Sequence, residues 1–393
     1  MKLLVVCSSL DLKAPFSSTP AWWQLLKGLY ESGVELVVTA YQGPVPETPW
    51  WRAYPNPGEW EGEIYTQFRK ALRTLYPGTA GESATKRNPN LQTQFIPNVV
   101  HTVIMPRWRR HLAKILRAER EVDAVLLLSV PPNHLRGVAD SIRRQFGIPV
   151  FFYDGDLPAS LPENQGFATG FRIYPGADLT EFDAVLSNSQ AGQEALRRLG
   201  ARATHVLYYA ADPLIYQAVS IPQDIDVYFS GTTTEYRAEW LRALIALPSE
   251  RLPGVRFTVR GRTLGELGRA QLLPYASFSS LRANVSRSKI NLVITRQPHA
   301  TLYGSSTLRP FELAMMGACM VSSPYLGIEE WFEPEKELIV VHSAEEAADR
   351  YQYLLGHDAE RRAMGEAART RALAEHTYLR RAGQLVGIIR GYL

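Results

Sequence analysis

In Ser305-Ser306-Thr307-Leu308-Arg309-Pro310-Phe311-Glu312-Leu313-Ala314-Met315-Met316-Gly317, hydroxyl residues stand where a helix begins, proline sits in its first turn and glycine closes it. The apolar run Cys319–Ser322 follows at once and reads as a β-strand. The helix is apolar on most faces, so it is expected to be buried. A buried Arg309 and Glu312 are costly unless paired or bound to a ligand. Arg309 suits a diphosphate, and Glu312 can accept from two neighbouring ribose hydroxyls. The alternative is a salt bridge between them across three positions.

Outward from this segment the same alternation recurs. Leu3–Cys7, Glu35–Ala40, Ala124–Ser129, Pro149–Tyr153, Ala184–Ser187 and His205–Tyr209 read as strands of one sheet. Asp226–Ser230, Arg256–Arg260, Asn291–Thr295, Cys319–Ser322 and Glu337–Val341 read as strands of a second. Helical patterns between them imply parallel sheets, and the missing period-2 alternation implies sheets covered on both faces. The first helix has Thr19 as N-cap, Pro20 at its first position, Trp22, Leu25, Leu26 and Leu29 on one face, and Gly33 past its end. Asp212-Pro213 and Ile221-Pro222 break the helical pattern and mark a boundary near Ala210–Asp224. Two parallel α/β domains place a ligand in the cleft between them, at the C-terminal ends of strands. Gly43–Gly62 and Tyr76–Pro97 read as long loops.

At 393 residues the chain exceeds one ordinary core. With 46% hydrophobic and 21% charged residues it is globular in composition, and a net charge of +4 falls short of a nucleic-acid binder's basic face. Cys7 and Cys319 are the only cysteines and read as buried free thiols. Met1–Val6 is a first strand rather than a signal peptide, and no run is long enough to span a membrane; a cytoplasmic protein is expected.

Several constellations could carry chemistry. In Asp226-Val-Tyr-Phe-Ser-Gly-Thr-Thr-Thr-Glu-Tyr-Arg237, a strand turns at Gly231 into a helix, so that Thr232 and backbone N–H groups could face an anion with Arg237 in reach. Threonine capping of an ordinary turn is the alternative. Arg260-Gly261-Arg262 ends another strand, and solvated surface is its bland reading. Asp154 and Asp156 follow the Pro149–Tyr153 strand and could serve as base toward an acceptor, or as an acidic turn. His134 and Asp11 also follow strands, and Trp50 and Trp51 could stack on an acceptor. The stretch Glu375–Leu393, with Leu379, Leu385, Ile388, Ile389 and Leu393, reads as a packing helix.

Arg309-Pro310-Phe311-Glu312 with Gly317-Ala318 resembles the donor-site segment of CgeB-like, spore-maturation type glycosyltransferases of the GT-B superfamily. Asp226–Gly231 with Arg237, Ser288–Leu292, Gly327-Ile328-Glu329-Glu330-Trp331-Phe332, and His376-Thr377-Tyr378 with Arg380-Arg381 resemble further family segments in the same order. The resemblance implies a GT-B α/β fold, two Rossmann-like domains whose parallel sheets face a central cleft. Residues 1–215 would be the acceptor-side domain, 216–375 the donor domain, and 376–393 a helix crossing back onto the first. It implies that Glu312 binds ribose, that Gly231, Thr232 and Arg237 lie against phosphates, and that Arg260, Lys289, Ser305, Ser306, Thr307 and Arg309 line the donor. The co-substrate would be a nucleotide-sugar, a UDP-sugar first, used without metal or other cofactor. The acceptor would be a saccharide, protein or small molecule ahead of a nucleic acid. Relatives often carry a sugar-seating Glu eight residues before the ribose Glu, and here that position is Gly304. A sugar-nucleotide epimerase and a non-catalytic nucleotide-sugar-binding protein share these features.

Overall fold

A computed structural model describes residues 1–11, 20–58, 104–164, 173–231, 236–261, 265–274 and 278–393. Thr19, Trp60, Tyr76–Pro97, Thr232 and Arg262 lie outside them.

Leu3–Cys7 in β1 (Lys2–Ser9) is apolar without interruption and fully buried, which puts β1 at the centre of a sheet covered on both faces. After α1 (Ala21–Glu31) come β2 (Glu35–Gln42), β3 (Arg52–Tyr54) and α2 (Met105–Ala118). Then follow β4 (Ala124–Leu128), α3 (Val138–Phe146), β5 (Val150–Asp154), β6 (Ala184–Ser187), α4 (Gly192–Arg198) and β7 (Thr204–Val206). The strand order is β3-β2-β1-β4-β5-β6-β7, all parallel, with Val5 opposite both Val38 and Leu126.

The second sheet begins with β8 (Ile225–Ser230), followed by α5 (Ala238–Leu241), α6 (Leu247–Arg251), β9 (Phe257–Arg260), β10 (Gln271–Leu273), α7 (Leu281–Ser286) and β11 (Ser288–Val293). It continues through α8 (Gln297–Thr301), α9 (Leu308–Met315), β12 (Met320–Ser322), β13 (Ile339–Val340), α10 (Ala344–Gly356), α11 (Asp358–Glu375) and α12 (Tyr378–Arg390). Its order, β10-β9-β8-β11-β12-β13, is again all parallel. β3 and β10 were not legible in the sequence. Each is a three-residue edge strand with no fully buried side chain, so no apolar run announces it. The strand expected at His205–Tyr209 ends at Val206, because the next residues turn toward the second sheet.

The chain passes between the sheets twice, and the two passages touch. Ala211 N–H donates to His376 O at 3.1 Å, and Ala211 bridges Thr377 in parallel. Asp212 accepts from Lys27 of α1 at 2.7 Å, which ties the first passage to the first sheet. α12 then buries Tyr378, Ala382, Leu385, Val386 and Ile389 against Trp22, Leu25, Leu26 and Leu29 of α1. Gly28 permits this approach, since a Cβ there would stand 2.6 Å from Tyr378 O. The stripe is not the one the sequence suggested: Leu379 and Leu393 are 50% and 61% exposed.

α9 starts at Thr307, whose backbone is extended, and stops at Gly317 in the left-handed region (φ +67°). Pro310 to Met315 are all buried. Cys7 and Cys319 are buried and unpaired. No helix among the described residues is long and apolar enough to cross a membrane.

Candidate functional site

The loop after β5 meets the loop after β11, and this is where the two sheets face each other. Asp156 Oδ1 accepts from an Arg296 Nη2, and His299 Nε2 lies 3.4 Å from the same oxygen. Arg296 follows β11 and His299 sits on α8, so the cluster joins the two sheets. Burial pushes the Asp156 pKa up, but the His299 hydrogen bond and the Arg296 charge outweigh it and hold the carboxyl below its usual range. A carboxylate held so firmly ionised is a poor general base at neutral pH. Burial lowers the His299 pKa more than Asp156 raises it, so the imidazole is neutral at neutral pH. Its Nδ1 is buried without a partner.

Asp154, the other acid of the turn, is closed in by its own loop. It is 2% exposed and accepts from Ser160 Oγ, from Tyr174 Oη at 2.5 Å and from Asp156 N–H at 2.9 Å. Burial raises its pKa despite these donors. Its work is to fold the loop that presents Asp156. Gly155 in that loop carries no side chain because a Cβ would lie 2.5 Å from the Trp22 ring, while Tyr209 Oη donates to its carbonyl at 2.5 Å.

Arg237 reaches the same region from the N-terminus of α5. Its Nε donates to Ile294 O at 2.9 Å, and Tyr236 O accepts from Gln297 N–H at 2.9 Å, which locks the loops after β8 and β11 together. The Arg237 charge acts on His299, which places four polar side chains, Asp156, Arg237, Arg296 and His299, in one patch. At the neighbouring strand ends, Gly231 N–H donates to Arg260 O at 3.0 Å, and Arg260 Nη1 to Pro274 O at 2.6 Å. Arg260 Nε and the Tyr228 hydroxyl are buried there without partners.

The Ser305–Glu312 segment divides into two parts. Ser305 and Ser306 do not line a ligand: both are fully buried and staple the second sheet to the first. Ser305 Oγ bonds Ser189 Oγ at 2.6 Å, while Ser306 Oγ accepts from Tyr209 N–H at 2.9 Å and its N–H donates to Asn188 O at 2.9 Å. Gly304, at φ +61°, is pressed against Gln190 and Gly327, so the position of the sugar-seating Glu has no room for a side chain. Thr307 and Arg309 are partly exposed at the start of α9. Glu312 is 0% exposed, with Oε1 accepting from Tyr216 Oη at 2.7 Å and Oε2 from Arg309 Nη1 at 2.8 Å. The salt-bridge alternative is thus the arrangement present, and in it Glu312 orients Arg309. Glu312→Ala is expected to cost about 1–3 kcal/mol, since Tyr216 loses its acceptor while Arg309 can regain water. Urea unfolding should show this loss, and Glu312→Gln should recover most of it by keeping the Tyr216 bond.

Five sequence candidates stand elsewhere. Lys289 pairs with Asp226 at 2.7 Å, and both are second residues of their strands, so they lie at the sheet edge opposite the cleft. His134 Nδ1 bonds Tyr41 Oη at 2.6 Å, and burial lowers its pKa. Trp50 and Trp51 pack on Trp23 of α1 with ring centroids 6.0 and 5.0 Å away, and Trp51 Nε1 donates to Pro46 O. They flank β3, four strands from β5, or about 19 Å at ~4.8 Å per strand. Asp11 sits at the end of β1 with its N–H on Ser9 Oγ at 3.3 Å, beside Gly43. Arg296 and His299 were missed. Arg296 is the residue after the strand expected at Asn291–Thr295, so the strand-end rule that selected Asp154 and Arg260 also selects it.

Residues 237–387 match a family model described as glycosyl transferase-like. Sucrose-phosphate synthase from Thermosynechococcus elongatus superposes with a TM-score of 0.64 at 14% identity, covering 100% of this chain and 99% of that one. HepE of Anabaena, solved with UDP-glucose, gives 0.60 at 14% identity with 100% of both chains covered. A glycosyltransferase from Rickettsia africae gives 0.59 at 11% identity, covering 99% and 98%. A comparison with curated protein sequences finds no match. These likenesses show the fold, which is GT-B.

Proposed function

We propose that this protein is a glycosyltransferase that moves a sugar from a nucleotide-sugar, a UDP-sugar first, to an acceptor hydroxyl. The observation that carries the reading is the meeting of Arg237 and Arg296 at the C-terminal ends of β8 and β11, opposite the loop that carries Asp156. When the bond between sugar and diphosphate breaks, negative charge grows on the leaving phosphate oxygen. Two fixed guanidiniums stabilise that charge more than they stabilise the bound donor, which is what lowers the barrier. Asp156 acts by holding Arg296 in place, and Ile294 O does the same for Arg237. Arg309, oriented by Glu312, adds a third cation at the start of α9. The CgeB-like resemblance of Arg309–Glu312 and Gly327–Phe332 belongs to this reading. So does a division into an acceptor-side domain over 1–215, a donor domain over 216–375 and a closing helix over 376–393.

With arginines meeting the leaving-group charge, transfer is expected to proceed without a metal. The test is a calorimetric titration with UDP, GDP, dTDP and ADP, followed by assay of the matching nucleotide-sugar with and without EDTA. Binding of one nucleoside diphosphate and EDTA-resistant release of it from the sugar donor are expected. A protein that binds none of the four would defeat the reading, and sugar interconversion without acceptor would make it an epimerase.

A further inference from the structure

The net charge of +4 is not spread over the surface. α2 (Met105-Pro-Arg-Trp-Arg-Arg-His-Leu-Ala-Lys-Ile-Leu-Arg-Ala118) carries five cations, Arg107, Arg109, Arg110, Lys114 and Arg117, and no acidic residue. Removing these five from a total of +4 leaves the remainder of the chain at −1. The helix itself carries +5 with no acidic residue to offset it.

The helix is oriented by its other face. Met105, Trp108, Leu112, Ile115 and Leu116 are buried in the first sheet's core, with Trp108 stacked on Tyr41 at 5.6 Å. Arg107, Arg110, Lys114 and Arg117 recur at spacings of three, four and three, so they form one stripe on the outward side, about 15 Å long. Arg110, Lys114 and Arg117 are exposed, and none of them has an ion pair among the described residues. Among the described residues, Asp140 on α3 pairs with Arg143, and Glu119 is buried between Lys2 and Arg52. Exposed Glu121, beyond the end of α2, is the counter-charge at that end.

We propose that this face of α2 docks the protein on an anionic phospholipid surface. A straight row of cations on a convex helix can approach a plane of headgroups along its full length. A single-stranded nucleic acid instead asks for aromatic side chains between the cations to stack on bases, and Trp108 of α2 is buried. The apolar face of the helix is committed to the core, so binding is electrostatic, without insertion, and weakens with salt. Each exposed cation near a charged lipid surface contributes about fivefold in partitioning, so Arg110, Lys114 and Arg117 together give about a hundredfold.

Sedimentation with vesicles tests this on the full chain. Wild-type protein should pellet with phosphatidylcholine vesicles containing phosphatidylglycerol, remain in solution with pure phosphatidylcholine, and be released by high salt. Arg110→Glu combined with Lys114→Glu should lower partitioning at least about 25-fold, with melting temperature and nucleotide binding as in wild type. Wild-type protein that ignores the anionic vesicles overturns the proposal. So does a double variant that binds as wild type, or binding of duplex DNA in preference to the vesicles.

Discussion

Arg296→Ala is expected to lower kcat about 10²–10³-fold, the size of effect seen when one fixed donor to a developing negative charge is removed. The larger loss should fall on kcat rather than on KM, because the charge Arg296 meets grows as the donor bond breaks. The fold should tolerate the change: Asp156 is half-buried, so its carboxylate can take water in place of the guanidinium. Asp156→Asn separates holding from catalysing. It keeps Arg296 but loosens it, and is expected to cost about tenfold; the double variant should be no slower than Arg296→Ala alone, because Asp156 acts through Arg296. Because Asp156 is held below the usual carboxylate range, its protonation should leave no mark on the neutral limb of the pH profile. An Arg296→Ala enzyme with wild-type kcat would show the guanidinium to be an interdomain tie and nothing more.

The architecture was legible because parallel strands covered on both faces must be continuous apolar runs, and Leu3–Cys7, Ala124–Leu128 and Val227–Phe229 are such runs. β3 and β10 were invisible because three edge residues, none of them buried, make no pattern. Site residues were harder, for a different reason. Strand-end position names candidates but does not say which of them spend their hydrogen bonds on the protein itself. Asp154 and Asp156 are two residues apart in the same turn, yet one is closed by Ser160 and Tyr174 while the other reaches across to Arg296. Ser305 and Ser306 look like anion-binding caps in sequence. Their partners, Ser189, Asn188 and Tyr209, lie about a hundred residues away, and no local rule brings them together. Lys289 was misplaced by strand direction, since the same apolar run read three residues later would put it outside the sheet.

Arg381→Ala is expected to destabilise the protein by about 2–4 kcal/mol, through buried acceptors left without a donor. Arg381 is 3% exposed, on the first turn of α12. Its Nε donates to Tyr208 O at 2.9 Å and its Nη1 to Glu375 O at 3.1 Å, one on each passage of the chain between the sheets. Its Nη2 lies 2.9 Å from His376 Nδ1, and His376 Nε2 is 3.0 Å from Trp331 O in the second sheet's core. The cation thus holds both crossings and the second domain at one point, with carbonyls and a neutral imidazole as its acceptors among the described residues. A cavity of about 540 Å³ lined by Tyr208, Trp331, His376 and Arg381 lets water reach part of the gap, which keeps the loss below that of a sealed site. Burial and the Arg381 charge lower the His376 pKa from 6.5 to about 3. A depressed folded-state pKa means this group's contribution is present above pH 6.5 and is lost as pH falls toward 3, by about 1.4 kcal/mol per unit. Guanidinium unfolding followed at pH 8 and pH 5 should therefore show wild type losing stability in acid. Arg381→Ala should lose less between the two, because His376 no longer faces a cation. Equal pH dependence in both proteins would mean that the two side chains are not coupled and that the crossings are held by packing alone.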